Sequence, residues 1–172
     1  MGERLLPRDL DELYAHAIVF EREATKRFAE LERYMREAGM NHIADEFESI
    51  GREEREQYEM LALGTAGREL PAIAPWEYAA HFLGAEADLV RAPKNAREAL
   101  GLAIATERRT QGFYVDVAEH TNDDTICAFA AEMAADESRH IARLERLLAR
   151  EPAAVSAASG ADDLLPLKTA KP

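Results

Sequence analysis

Cysteine is almost missing from this chain of 172 residues. The single Cys127, in the run Ile126-Cys127-Ala128-Phe129, reads as a small core residue. One cysteine cannot close a disulfide within the chain, nor build a four-cysteine iron site or a zinc knuckle. Long apolar runs are missing too. No stretch approaches the roughly 18 uncharged apolar residues of a membrane span. The opening Met1-Gly2-Glu3-Arg4-Leu5-Leu6-Pro7 lacks the apolar core of a signal peptide, so a cytoplasmic location is expected. Basic residues are scarce: 21 Lys and Arg against 33 Asp and Glu leave a net charge of −12. That deficit repels nucleic-acid backbones and anionic membrane surfaces at long range, while it concentrates cations such as Fe²⁺. Sustained β-type alternation is absent as well, which leaves an all-α chain.

Helical periodicity is abundant. Apolar residues recur at three-to-four spacing through Leu13, Ala17, Phe20, Ala24, Phe28, Leu31 and Met35, one face of a helix. Asp9 with Glu12 reads as a capping box that opens it, and Gly39 as its stop. A second stripe runs Ile43, Phe47, Ile50, Glu54, Gln57 and Leu61 toward Gly64. The third opens at Asn95 with Glu98 and runs Leu100, Ala103, Ile104, Glu107, Gln111, Tyr114 and Ala118. The fourth starts within Thr121-Asn122-Asp123-Asp124, continues through Ile126, Ala130, Met133, Glu137, His140, Leu144 and Leu147, and stops before Pro152. The expected helices are therefore about 10–38, 42–63, 95–119 and 122–150. Short links make the first two and the last two helices antiparallel hairpins. The crossover 65–94 is long enough to let the second and third helices lie parallel. Within it, Pro75 to Leu83 predicts a short amphipathic helix with proline in its first turn. With 47% hydrophobic residues the chain can bury one core, so residues 1–150 are expected to form one domain and 151–172 a tail.

Some stripe positions are acidic. Glu21, Glu54, Glu107 and Glu137 face inward with the apolar residues, and His140 follows Glu137 on the same face. Desolvating an isolated ionised carboxylate costs on the order of several kcal/mol even after relaxation, so such a set needs neutralising cations. Two divalent metal ions carry about +4 against about −4 from the carboxylates, which would leave the interior near neutral. The hairpins also resemble each other internally. Glu21 precedes Phe28 as Glu107 precedes Tyr114, and Ile50-Glu54-Gln57-Leu61 parallels Met133-Glu137-His140-Leu144. Side chains three apart share a helix face, so each Glu-x-x-(Gln/His) pair can grip one metal while its Glu bridges to the other. For any one glutamate the competing reading is that it snorkels out or pairs with an arginine such as Arg22, Arg55 or Arg139. Gln57 reads equally as a ligand or as a hydrogen-bond partner behind the ligands. Tyr58 and Tyr114 read as core residues whose phenols, near a redox metal, can donate an electron or a proton. His16, His42, His81 and His120 lack a partner at ligand spacing and read as structural or solvated.

The segments Phe20-Glu21-Arg22-Glu23-Ala24 with Phe28, Arg52-Glu53-Glu54-Arg55-Glu56-Gln57, Ala105-Thr106-Glu107 with Tyr114, and Asp136-Glu137-Ser138-Arg139-His140 together resemble the ferritin-like di-iron carboxylate proteins. The resemblance is greatest to their rubrerythrin-type branch and covers about residues 10 to 150. It implies a ferritin-like four-helix bundle with two iron ions as cofactors, zinc or manganese being the alternatives. Glu21 and Glu107 would be terminal ligands, Glu54 and Glu137 bridging ligands, and His140 a terminal nitrogen ligand. A homodimer is implied as well. Three departures stand against a full match. Gln57 occupies the place of the family's usual first histidine, Thr110 the place where rubrerythrins tend to carry a further glutamate, and the rubredoxin module is absent. That glutamate and that histidine are the ligands one iron exchanges between redox states in the family, so the resemblance does not extend to the rubrerythrin peroxidase cycle.

The expectation is a di-iron oxidoreductase that acts on Fe²⁺ with O₂ or H₂O₂, of ferroxidase or peroxidase type, served by an external electron donor. One alternative is a non-catalytic metal-binding or iron-handling protein whose site Gln57 has weakened. Another is a metal-free helical interaction module. No nucleic acid or membrane partner is expected. The tail reads as a flexible extension in which Leu164-Leu165-Pro166-Leu167 is expected to dock on a neighbouring subunit.

Overall fold

The structure, a computed structural model, describes residues 6–74 and 92–152. Four helices make up its regular structure: α1 (Leu10–Glu37), α2 (Asn41–Gly64), α3 (Ala96–His120) and α4 (Asp124–Leu148). No strand occurs among the described residues. The short helix expected at 75–83, His81 and the tail anchor at 164–167 lie outside them. No helix of the described residues is long and apolar enough to cross a membrane.

The helix ends follow from local chemistry. Asp9 caps α1 by accepting a hydrogen bond from the Glu12 amide at 2.9 Å, and Asn95 caps α3 by accepting one from the Glu98 amide at 2.9 Å. Asp123 caps α4 by accepting from the Thr125 and Ile126 amides, so that helix starts two residues later than its cluster of capping residues allowed. Its end also falls earlier than expected, at Leu148 rather than 150. Gly39 ends α1 at φ +74°, a conformation cheap only for glycine. There the Met40 amide donates to the Met35 carbonyl and the Gly39 amide to the Arg36 carbonyl, the Schellman pattern that reverses the chain into α2.

Helix directions can be read from contacts at one end of the bundle. Arg97, at the start of α3, donates to the carbonyls of Leu148 and Glu151 at the end of α4. His42, at the start of α2, pairs with the same Glu151 at 2.9 Å. The starts of α2 and α3 therefore share an end, so these two helices run parallel, as the long crossover requires.

The apolar core divides into two layers. One joins Phe28, Leu31 and Met35 of α1 to Ile43, Phe47 and Ile50 of α2, Leu100 of α3 and Leu144 of α4. The other joins Leu13, Ala17 and Phe20 to Tyr114, Val117, Ile126, Ala130 and Met133. On every helix a buried glutamate lies between the layers: Glu21, Glu54, Glu107 and Glu137. The first layer is tight: a Cβ placed on Gly51 would come within 3.0 Å of the Phe28 Cβ, so α1 and α2 approach as closely as glycine permits.

Candidate metal centre

Between these layers Glu21, Glu54, Glu107, Glu137 and His140 are all buried, none more than 3% exposed. Ligand atoms of Glu54, Glu107, Glu137 and His140 lie within 4.8 Å of one another. His140 Nδ1 is 2.7 Å from Glu54 Oε1, 3.3 Å from Glu107 Oε2 and 4.0 Å from Glu137 Oε2. Glu21 faces Glu54 and Glu107, and the Tyr114 hydroxyl donates to its Oε1 at 3.3 Å. The four inward stripes thus converge on one interior point, one carboxylate from each helix.

Among the described residues no arginine pairs with them. Arg22 pairs with Glu23, Arg139 with Asp136, and Arg55 is exposed, so neither snorkelling nor arginine pairing accounts for the buried glutamates. The charge has to be met in another way. Burial first, then the charges of Glu54 and Glu107, raises the Glu21 carboxyl well above its usual range. Burial, then Glu107, Glu54 and Glu21, does the same to Glu137, and burial followed by Glu54 raises Glu107. Burial works against a charged His140, but hydrogen bonding to Glu107 and Glu54 and their charges lift its pKa to about 10. Without metal the folded cluster therefore binds protons more tightly than the same groups do in the unfolded chain.

That difference fixes a sign for stability. A raised carboxyl costs nothing below about 4.5 and costs more as pH climbs toward its folded value, while His140 contributes stability below 6.5 that is lost by about 10. Both trends run downhill. Metal-stripped protein is expected to lose thermal stability steadily from pH 5 to pH 9 at constant ionic strength. A midpoint that rose across that window would contradict the protonated cluster. The lowered carboxyls of Glu12 and Glu53 act only below the usual carboxylate range, where their stabilisation fades as pH falls.

The donor atoms fit a metal. Among the described residues, Glu21 Oε2, both Glu54 oxygens, Gln57 Oε1, Glu107 Oε2, Glu137 Oε2 and His140 Nδ1 are buried with no hydrogen-bond partner outside the cluster itself. So many unmet lone pairs in one core are costly unless something accepts them. Hard carboxylate and amide oxygens with one imidazole nitrogen suit Fe²⁺, Mn²⁺ or Zn²⁺. The imidazole is aimed: its Nε2 lies 3.2 Å from Glu53 Oε2, which leaves Nδ1 toward the carboxylates. Glu53 is held in turn by Arg143 at 2.7 Å, and Arg143 also binds Glu46 and Ser49.

Every sequence-derived ligand position except Gln57 is fully buried at this point. Gln57 is half-buried, its Nε2 donating to Asp136 Oδ2 at 2.5 Å. Tyr58 is half-buried and makes no hydrogen bond to the cluster among the described residues, so Tyr114 is the phenol at the site. The outer partners Glu53, Asp136 and Arg143 escaped the sequence reading, although a signal was present: an acid directly precedes each Glu-x-x-(Gln/His) pair. His16 stacks on Phe113 at 5.5 Å and His42 pairs with Glu151, both structural. His120 does sit near Asp116 and Glu119, but on the surface, where acidic groups commonly gather without an ion.

Comparison with known proteins agrees with this architecture. A crystal structure of an uncharacterized conserved protein from Magnetospirillum magnetotacticum MS-1 superposes with a TM-score of 0.76 at 24% identity, covering 84% of this chain and 97% of that one. Likeness at that identity speaks for the fold alone. No curated protein matches the chain. The Rubrerythrin family model matches residues 12–148, a span that contains all four helices apart from Leu10 and Asp11 of α1 and every residue of the buried cluster; the chain belongs to the Rubrerythrin family of ferritin-like proteins.

Proposed function

We propose that this chain is a di-iron carboxylate oxidoreductase that oxidises Fe²⁺ with O₂ or H₂O₂ in the manner of a ferroxidase. The observation that carries the reading is the set of buried carboxylate oxygens around His140 Nδ1 that have no partner outside the cluster and no arginine among the described residues to neutralise them. A bound pair of irons would supply two electrons, the number that takes O₂ to peroxide or peroxide to water.

In this reading Glu21 and Glu107 would hold the irons as terminal ligands, Glu54 and Glu137 would be shared between them, and His140 and Gln57 would complete the two ends. Carboxylates suit the role because they compensate charge and can shift between binding modes. The apolar layers above and below keep bulk water from the cluster. Tyr114 is fully buried, and burial together with the charges of Glu21, Glu137 and Glu54 holds its phenol well above its usual pKa. It therefore keeps its proton at neutral pH and offers it to Glu21 Oε1. Gln57 and Thr110, which replace the family's histidine and extra glutamate, favour simple Fe²⁺ oxidation over the full peroxidase cycle. An external electron donor, a cytoplasmic location and a homodimer belong to the same proposal.

Protein loaded anaerobically with Fe²⁺ and then exposed to O₂ or H₂O₂ should develop ferric absorption faster than Fe²⁺ in buffer. Glu54→Ala and Glu137→Ala should reduce that rate to the buffer background. Unchanged oxidation in both variants would remove the site from consideration. The weakened Gln57 end favours a second reading, a non-catalytic iron-handling protein, which stoichiometric Fe²⁺ binding without accelerated oxidation would select.

A further inference from the structure

The outer contacts of the cluster cross between hairpins in a reciprocal way. Glu53, the residue before Glu54 on α2, faces His140 of α4, while Asp136, the residue before Glu137 on α4, accepts from Gln57 of α2 at 2.5 Å. Each acid is backed by an arginine of α4, Glu53 by Arg143 and Asp136 by Arg139. Ion-paired in this way, Asp136 can only accept hydrogen bonds. The Gln57 NH₂ must therefore face Asp136, which turns the carbonyl oxygen the other way. That oxygen, Oε1, is buried and has no hydrogen-bond partner among the described residues.

From this geometry we infer that Asp136, fixed by Arg139, is a positioning residue that locks the Gln57 carbonyl as a metal ligand and makes the two metal positions unequal. The inference rests on the di-metal reading above. One end holds an imidazole nitrogen with its carboxylates. The other holds oxygen alone, one of its donors being a neutral amide, which binds divalent iron or cobalt less tightly than imidazole does. His140 is 3% exposed whereas Gln57 is half-buried, so the weaker end is also the more open one. Metal should fill the His140 end first and exchange at the Gln57 end. The slot beside Asp136 would serve a histidine equally well, since an imidazole N–H there would meet Asp136 as His140 meets Glu53.

The test titrates metal-stripped full-length protein with Co²⁺, followed by calorimetry and by visible absorption, which reports nitrogen against oxygen ligands. The wild type is expected to take up two ions in separate steps, or one ion tightly with the second beyond the measured range. Gln57→His should tighten the weaker step at least about tenfold, add nitrogen character to its spectrum and leave the tighter step unchanged. Asp136→Leu should weaken that same step by about 10- to 100-fold. If Asp136→Leu loses its helical circular dichroism, Asp136→Asn replaces it, with a smaller loss confined to the same step. Two equal sites in the wild type would overturn the inference and leave the di-metal reading standing. So would a Gln57→His variant whose weaker step is unaltered, or an Asp136 variant that binds both ions as the wild type does. A wild type that takes up no Co²⁺ would overturn the di-metal reading, and this inference with it.

Discussion

Saturating metal is expected to raise the unfolding midpoint of metal-stripped protein by about 10 °C, and a chelator to return it to the starting value. A ligand that binds only the folded state at about a thousand times its dissociation constant stabilises by about 4 kcal/mol. For a domain of this size each kcal/mol moves the midpoint by about 2–4 °C. The expectation follows from where the cluster lies. Each hairpin packs tightly along its own length, α1 on α2 and α3 on α4, while the hairpins touch one another more sparsely. The carboxylates of Glu21 and Glu54 come from one hairpin, and those of Glu107 and Glu137 from the other, with His140 reaching across to Glu54. An ion shared among them would tie together the hairpins, which otherwise touch sparsely. Scanning calorimetry with and without Zn²⁺, which avoids redox complications, checks this directly. A midpoint indifferent to both metal and chelator would favour the metal-free interaction module instead.

Much of this arrangement was legible in the chain because α-helices convert sequence spacing into direction. Leu13, Ala17, Phe20 and Phe28 mark the inner face of α1, and Glu21 shares that face by arithmetic alone. The caps at Asp9, Asn95 and Asp123 and the stop at Gly39 were legible for the same reason: they depend on bonds between residues close in sequence. Contacts between helices were not legible. Glu53 meets His140 and Arg143 across 87 and 90 residues, and Gln57 meets Asp136 across 79. Such pairs depend on the relative rotation of two helices by tens of degrees, which a periodic stripe leaves free. The choice between Tyr58 and Tyr114 was undecided for a similar reason. Both lie near an inward glutamate in sequence, but only Tyr114 is turned far enough inward to reach Glu21.

Glu137→Met should make the metal-free protein more stable at neutral pH while abolishing its response to metal. The buried carboxyl of Glu137 is destabilised by desolvation and by the charges of Glu107, Glu54 and Glu21. Methionine fills a similar volume without either penalty. His140 loses little, because Glu137 is the most distant of its three buried carboxylate partners, at 4.0 Å against 2.7 Å for Glu54. The opposing cost is the hydrogen bond between Glu137 and Glu107, which the substitution removes. Replacing buried charged groups by well-packed apolar ones is commonly stabilising by about 1–4 kcal/mol, so with that bond lost a gain of about 1–2 kcal/mol is expected. The pH dependence separates this account from simple repacking. The penalty on Glu137 is absent below about 4.5 and grows as pH rises toward its raised folded value, so the variant's advantage should be small at pH 4.5 and larger at pH 7.5. Denaturant unfolding of both metal-free proteins at the two pH values checks it. A variant less stable than the wild type at pH 7.5 would mean that the cluster's internal hydrogen bonds outweigh its desolvation, and that the fold does not depend on metal to relieve it.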